Sequence, residues 1–154
     1  FGDGAGAVVL GPSDDHRGIL ATKMHTDGSL AHSLKIPWGG LVEMQGRDIF
    51  KAAVRNLHSA SKAVVEEAGI APEQVDWVVP HQANIRIIEQ VTSRADYPRQ
   101  KVLSNIATVG NTSSASIPIL LDESIRNNTV KEGDVVLMCA LGAGVSWGAS
   151  VVCI

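Results

Sequence analysis

The chain has 154 residues, 45% of them hydrophobic and 19% charged, and a formal net charge of -3. That length suits one domain with a buried core, and the absence of clustered Lys and Arg argues against a nucleic-acid footprint. No apolar run is long and unbroken enough to span a bilayer, and no signal-peptide pattern is visible, so a cytoplasmic location is expected.

Aromatic residues make up only 4% of the chain. The core must therefore be built from Val, Ile, Leu and Ala, a composition that suits buried strands covered by helices. The two cysteines, Cys139 and Cys153, lie in apolar runs near the end. Both read as small buried hydrophobes in a reducing compartment. The chain opens at Phe1 directly into FGDGAGAVVL. That opening reads as the middle of a domain, and a piece of a longer chain is expected.

In chain order, residues 5–10 are small and apolar and residues 18–24 form a second apolar run. A turn over Gly11-Pro12-Ser13-Asp14-Asp15 would join them into a hairpin. Residues 25–41 have no steady period and are broken by Gly28, Pro37, Gly39 and Gly40. They read as a long irregular loop, and such loops are often functional. Residues 48–68 switch to a helical period, with Phe50, Val54, Leu57, Ser61 and Val64 on one face and Gly69 as the stop. A strand is expected over 75–79, ended by Pro80. A helix follows over 84–94 with Ile85, Ile88 and Val91 inward, then a third strand region from Lys101 to Leu103. A helix over 113–126 carries Pro118 in its first turns, where a missing N–H does least harm. Two strands, 135–140 and 145–154, flank the turn Leu141-Gly142-Ala143-Gly144. This ββ-α-β-α-β-α-ββ order implies an α/β fold with a mixed sheet and layered helices.

Four segments are candidates for chemistry. Gly2-Asp3-Gly4-Ala5-Gly6-Ala7 matches a dinucleotide fingerprint in spelling alone. The fingerprint needs a strand before it and a helix after it, whereas an apolar strand is expected after it here. A tight glycine-rich entry into that strand is the better reading. Pro80-His81-Gln82-Ala83-Asn84 lies just past a strand end, where open α/β sheets bind ligands; alone, His81 would be a structural cap and Asn84 a helix N-cap. Gly110-Asn111-Thr112-Ser113-Ser114 precedes a helix. It is either a polar cap or a means of aiming the Asn111 amide into the crevice of His81. The turn at Gly142-Ala143-Gly144 is either a tight hairpin or a source of backbone N–H groups for an oxyanion.

The series GDGAGAVVL, MQGRDIFKAAV, VPHQANIRI, GNTSSAS and GAGVSWGA, in this order and spacing, resembles β-ketoacyl-acyl-carrier-protein synthase III along nearly the whole chain. The resemblance implies a thiolase-like fold of two similar halves. Residues 1–154 would be the C-terminal half, and the Cys nucleophile would lie in an absent N-terminal half. It implies a condensing acyltransferase that takes acyl-CoA and malonyl acyl carrier protein to a 3-oxoacyl product at the start of fatty-acid synthesis. On that resemblance His81 and Asn111 are catalytic donors, and the backbone at Ala143 serves an oxyanion. Gly46, Phe50, Ala83 and Asn84 line a pantetheine tunnel, while Arg86 and Lys51 meet the acidic carrier protein. No metal or cofactor is implied. The implied partners are the N-terminal half and a second copy of the full enzyme; neither nucleic acid nor membrane is among them. Gly-Ala-Gly stands where the family often has Gly-Gly-Gly, and Leu141 and Val145 stand where Phe is common. Two other readings are a starter-unit ketosynthase of polyketide assembly and a non-catalytic half-domain that only docks onto a partner.

Overall fold

The computed structural model describes every residue except Asp14, His16 and Asp96. The chain first forms regular structure at strand β1, Gly18–Thr26. A short 3-10 turn leads into a small antiparallel pair, β2 (Leu34–Lys35) with β3 (Glu43–Met44). Helix α1 spans Gly46–Glu67. Strand β4 (Trp77–Pro80) and helix α2 (Ile85–Arg94) follow. A one-turn helix α3 (Ile106–Val109) precedes α4 (Ser116–Arg126), and the chain closes with strands β5 (Val135–Gly142) and β6 (Ser146–Cys153).

The main sheet has the order β1-β6-β5-β4. β4 runs parallel to β5, while β5 and β1 both run antiparallel to β6. The sheet is therefore mixed, as expected. β5 and β6 are long, apolar and rich in Val, and they pair residue for residue from Val135↔Cys153 to Gly142↔Ser146. Side chains alternate between the two faces of a strand, so the sheet sends two different residue sets to its two sides.

On one side lies α1. It buries Ala52, Ala53, Val54, Leu57, Ala60 and Val64, and its three alanines let the helix axis approach the strands closely. These residues form one cluster with Val78, Ile88, Leu137, Cys139 and Val151. Glu67 ends the helix in a Schellman arrangement: Gly69 N–H donates to Glu66 O at 3.1 Å and Ile70 N–H to Val65 O at 3.4 Å. On the other side a smaller cluster joins Val79, Leu120, Val130 and Val136, with Ile117 and Met138 packed against it. Among the described helices, α4 covers that side.

Several expectations need correction. Residues 5–10 form no strand, and Val8, Val9 and Leu10 are 67%, 99% and 75% exposed. A strand needs a partner edge, and residues 5–10 pair with none of the strands among the described residues. The turn expected at 11–15 includes Asp14, which lies outside the described residues. The glycine-rich opening instead packs on the loop before α4. Gly2 N–H donates to Asn111 O at 2.8 Å, and a Cβ at Gly2 would collide with the carbonyl oxygen of Val109. Residues 101–103 do not form a strand. They make a 3-10 turn over Arg99–Lys101 and a single parallel bridge, Val78↔Val102. In α2 the inward stripe is Ile88, Val91 and Thr92, while Ile85 is 38% exposed. Thr92 is tolerated in the core because its hydroxyl donates to Ile88 O at 2.7 Å. α4 starts three residues late, since Ser113 has φ +56°, which cannot begin an α-helix. Pro118 falls in its first turn, as expected.

Candidate functional site

β4 ends at Pro80, and the chain turns sharply before α2 starts at Ile85. His81 sits in that turn. Its backbone N–H donates to Cys139 O at 2.8 Å, which continues the parallel ladder by one rung and fixes the residue at the strand end. The ring is half-buried, and its Nδ1 lies 2.6 Å from the Ser116 hydroxyl at the start of α4. Burial pushes the His81 pKa below its ordinary value of 6.5, so the ring is neutral at neutral pH.

Asn111 lies in the loop between α3 and α4. Gly110 before it has φ +69° and ψ -157°, a combination that only glycine adopts readily. The Asn111 side-chain oxygen accepts from Ser113 N–H at 2.9 Å. A backbone N–H only donates, so that contact fixes the amide orientation. The NH2 end is left without a protein partner among the described residues.

A cavity of about 550 Å³ opens beside these groups. Its wall includes His81, Ile117, Met138, Leu141 and Trp147, together with Met24 from β1. The floor is the side of β1, β6 and β5 that α1 does not cover. His81 shares the wall with Ser113, Ser114 and Ser116. Asn111 is not on the wall, although Ser113, which it caps, is. Gly142 contributes to the wall, whereas Ala143 is exposed at the tip of the turn and does not.

The remaining candidates lie outside the cavity. Gly46 is the exposed first residue of α1, and Phe50, one turn on, is half-buried against the main core. Ala83 is half-buried in the turn after His81. Asn84 is exposed and caps α2, its side-chain oxygen accepting from Arg86 N–H at 2.9 Å. Lys51 and Arg86 are exposed, and neither forms an ion pair among the described residues.

Cys139 lines the cavity but is only 2% exposed, and burial raises its thiol pKa to about 11. It is a packed thiol, not a thiolate nucleophile. Two residues of the site escaped the sequence reading. Gln82 is wholly buried and holds the turn: its NH2 donates to Pro80 O at 2.7 Å, and its side-chain oxygen accepts from Ser104 at 2.8 Å and Asn105 N–H at 3.2 Å. Ser116 is the other. A polar residue inside a turn already singled out for His81 could have flagged Gln82, but nothing local could have paired Ser116 with His81. Among the described residues no group of three or more His, Cys, Asp or Glu is placed to hold a metal, and no helix is long and apolar enough to cross a membrane.

With this geometry in view, the comparisons with known proteins agree among themselves. The family model for the C-terminal region of 3-oxoacyl-[acyl-carrier-protein (ACP)] synthase III matches residues 65–154, and the model for 3-oxoacyl-[ACP] synthase III matches residues 1–28. A β-ketoacyl-[acyl-carrier-protein] synthase III from Aquifex aeolicus is 50% identical over 149 residues, covering 97% of this chain and 48% of the relative. One from Desulfotalea psychrophila is 42% identical over 166 residues, covering 99% and 51%. The crystal structure of 3-oxoacyl-[acyl-carrier-protein] synthase III from Aquifex aeolicus superposes with a TM-score of 0.90 at 45% identity, over 93% of this chain and 46% of that one. The priming β-ketosynthase from the R1128 polyketide biosynthetic pathway gives 0.86 at 33% identity, over 94% and 47%. The chain spans about half the length of the curated relatives it matches. With a thiolase-like α/β fold and this run of matches, the chain belongs to the 3-oxoacyl-[acyl-carrier-protein] synthase III family.

Proposed function

We propose that residues 1–154 are the C-terminal catalytic half of a condensing acyltransferase, and that His81 and Asn111 are its enolate-stabilising donors. The full reaction joins an acyl group from acyl-CoA to malonyl acyl carrier protein. An N-terminal half supplies the Cys that first takes the acyl group. In malonyl thioester the bond between the carboxylate and the α-carbon breaks, carbon dioxide leaves, and the electron pair becomes an enolate. That carbanion attacks the acyl-Cys carbonyl, the C–S bond breaks, and the thiolate departs. Negative charge grows on the malonyl thioester oxygen during decarboxylation. Two neutral donors fixed beside that oxygen stabilise the transition state more than the ground state.

The observation that carries the reading is the pairing of a half-buried, neutral His81 at a strand end with the loop whose Asn111 amide NH2 has no partner among the described residues. The backbone near Ala143 would serve the acyl oxyanion, while Gly46, Phe50, Ala83 and Asn84 would line the pantetheine path. Arg86 and Lys51, exposed and unpaired among the described residues, suit an acidic carrier protein. The reaction needs no metal or cofactor. The assembled enzyme would work in the cytoplasm as a homodimer, and this half alone would form no acyl-enzyme. A second reading, starter-unit synthesis for polyketides, is supported by the likeness to the priming β-ketosynthase; a panel of acyl-CoA substrates on the assembled enzyme separates the two. The docking-module reading predicts loss of His81 or Asn111, and both are present.

The test uses the assembled enzyme and carboxyl-labelled malonyl acyl carrier protein. His81→Ala or Asn111→Ala should slow release of labelled carbon dioxide on the order of 100-fold or more, while acyl transfer to the Cys persists. Unchanged release in both variants would overturn the assignment.

A further inference from the structure

We propose that Ser116 is a positioning residue that sets the tautomer of His81, keeping the ring proton on Nε2, the nitrogen free to face the cavity. The role of that proton rests on the function proposed above; the tautomer itself does not.

The argument is one of donors and acceptors. Gln82 N–H donates to Ser116 Oγ at 3.2 Å. The hydroxyl oxygen is thus already an acceptor, and its single proton needs a destination. Its only other partner among the described residues is His81 Nδ1, at 2.6 Å. If Nδ1 carried the ring proton, the hydroxyl would accept twice and its own proton would be buried without an acceptor. Ser116 is 1% exposed, so water cannot relieve that. The hydroxyl therefore donates to Nδ1. In a neutral imidazole one nitrogen is donor and the other acceptor, and the bond made by one fixes the other. Nε2 carries the proton, and it has no protein partner among the described residues while the ring lines the cavity.

The framework around this bond is rigid. His81 is pinned to β5 through Cys139 O, and Gln82 is locked by its bonds to Pro80, Ser104 and Asn105. Ser116 sits at the first turn of α4, whose next turn enters the smaller core through Leu120. The ring is therefore held from two segments that are 35 positions apart in sequence. The opposite tautomer would present a lone pair to a developing oxyanion, which repels where a donor is needed.

The tautomer is read directly from the ring nitrogens of the 15N-labelled chain by long-range proton–nitrogen NMR at neutral pH, with His81 identified by its loss in His81→Gln. The expected result is a protonated Nε2 and an unprotonated Nδ1 in the wild type. Ser116→Ala should give mixed or reversed protonation, and Ser116→Thr, which keeps the hydroxyl, should restore the wild-type pattern. A protonated Nδ1 in the wild type overturns the proposal, as does a Ser116→Ala ring that keeps the wild-type pattern. In the assembled enzyme Ser116→Ala should lower kcat for decarboxylation at least about tenfold with KM unchanged, and Ser116→Thr should recover it. Should His81→Ala leave decarboxylation intact while the NMR result holds, the functional reading fails and the tautomer assignment stands.

Discussion

The two sides of the sheet are built differently. The α1 side is closed: Leu57, Val64, Leu137 and Val151 are at most 4% exposed, and two helices cover them. The α4 side is half open. Val136 and Leu120 are buried there, but the sheet beyond them presents Met24, Ala140, Ser146, Gly148 and Ser150 to the cavity. Both sides belong to the same strands, so the difference lies in what each alternate residue meets. The closed side holds the fold together, and the open side faces the cavity that His81 lines.

The largest expected effect breaks the closed side. Leu137→Ala should cost about 2–5 kcal/mol of unfolding free energy, because the rigid β5 cannot collapse into the void. Met24→Ala, on an open-side residue that is 79% exposed, should change stability by less than about 0.5 kcal/mol. Denaturant midpoints of the two variants test the contrast; equal losses would refute it.

A second experiment sharpens the comparison. Exposed apolar surface drives association, and the open sheet side lies together with half-buried Ile117 and Met138. α4 is partly covered within this chain, since Gly4 packs closely on Ile119. The isolated chain should self-associate at micromolar concentration in sedimentation, and Met24→Lys should weaken the association. A stable monomer would show that the open side needs no cover.

The smallest effect is the pH response of His81. Its folded-state pKa lies below the ordinary 6.5 because of burial. As the pH falls, the unfolded chain therefore takes up this proton first. The contribution of the neutral ring is complete above 6.5 and is lost as the pH drops through the folded-state value. Between about pH 8 and about pH 5, wild type should lose more stability than His81→Gln. Identical pH profiles would show that the buried environment does not act on this ring.

Much of this was legible locally. Helix α1 announces itself through Val54, Leu57, Ser61 and Val64, all of which are buried, and Gly69 ends it as read. The β5–β6 hairpin follows from two Val-rich runs around a glycine-rich turn. His81 and Asn111 both stand where a strand or short helix yields to a helix, so their candidacy was visible from spacing. The opening GDGAGAVVL was misread, since apolar content suggested a strand while the segment packs on the loop before α4 and on α4 itself. Lys101 to Leu103 was overread as well: it meets the β4 edge through one bridge at Val102 and forms no strand.

The sequence by itself determined which segments coil and which extend, because periodicity and turn chemistry act over a few residues. It also determined that polar groups stand at strand ends. The tertiary structure alone decided that Ser116 meets His81, that Gln82 is fully buried, and that one side of the sheet is closed while the other stays open. These are encounters between residues distant along the chain, and no local pattern encodes which surface another element will cover.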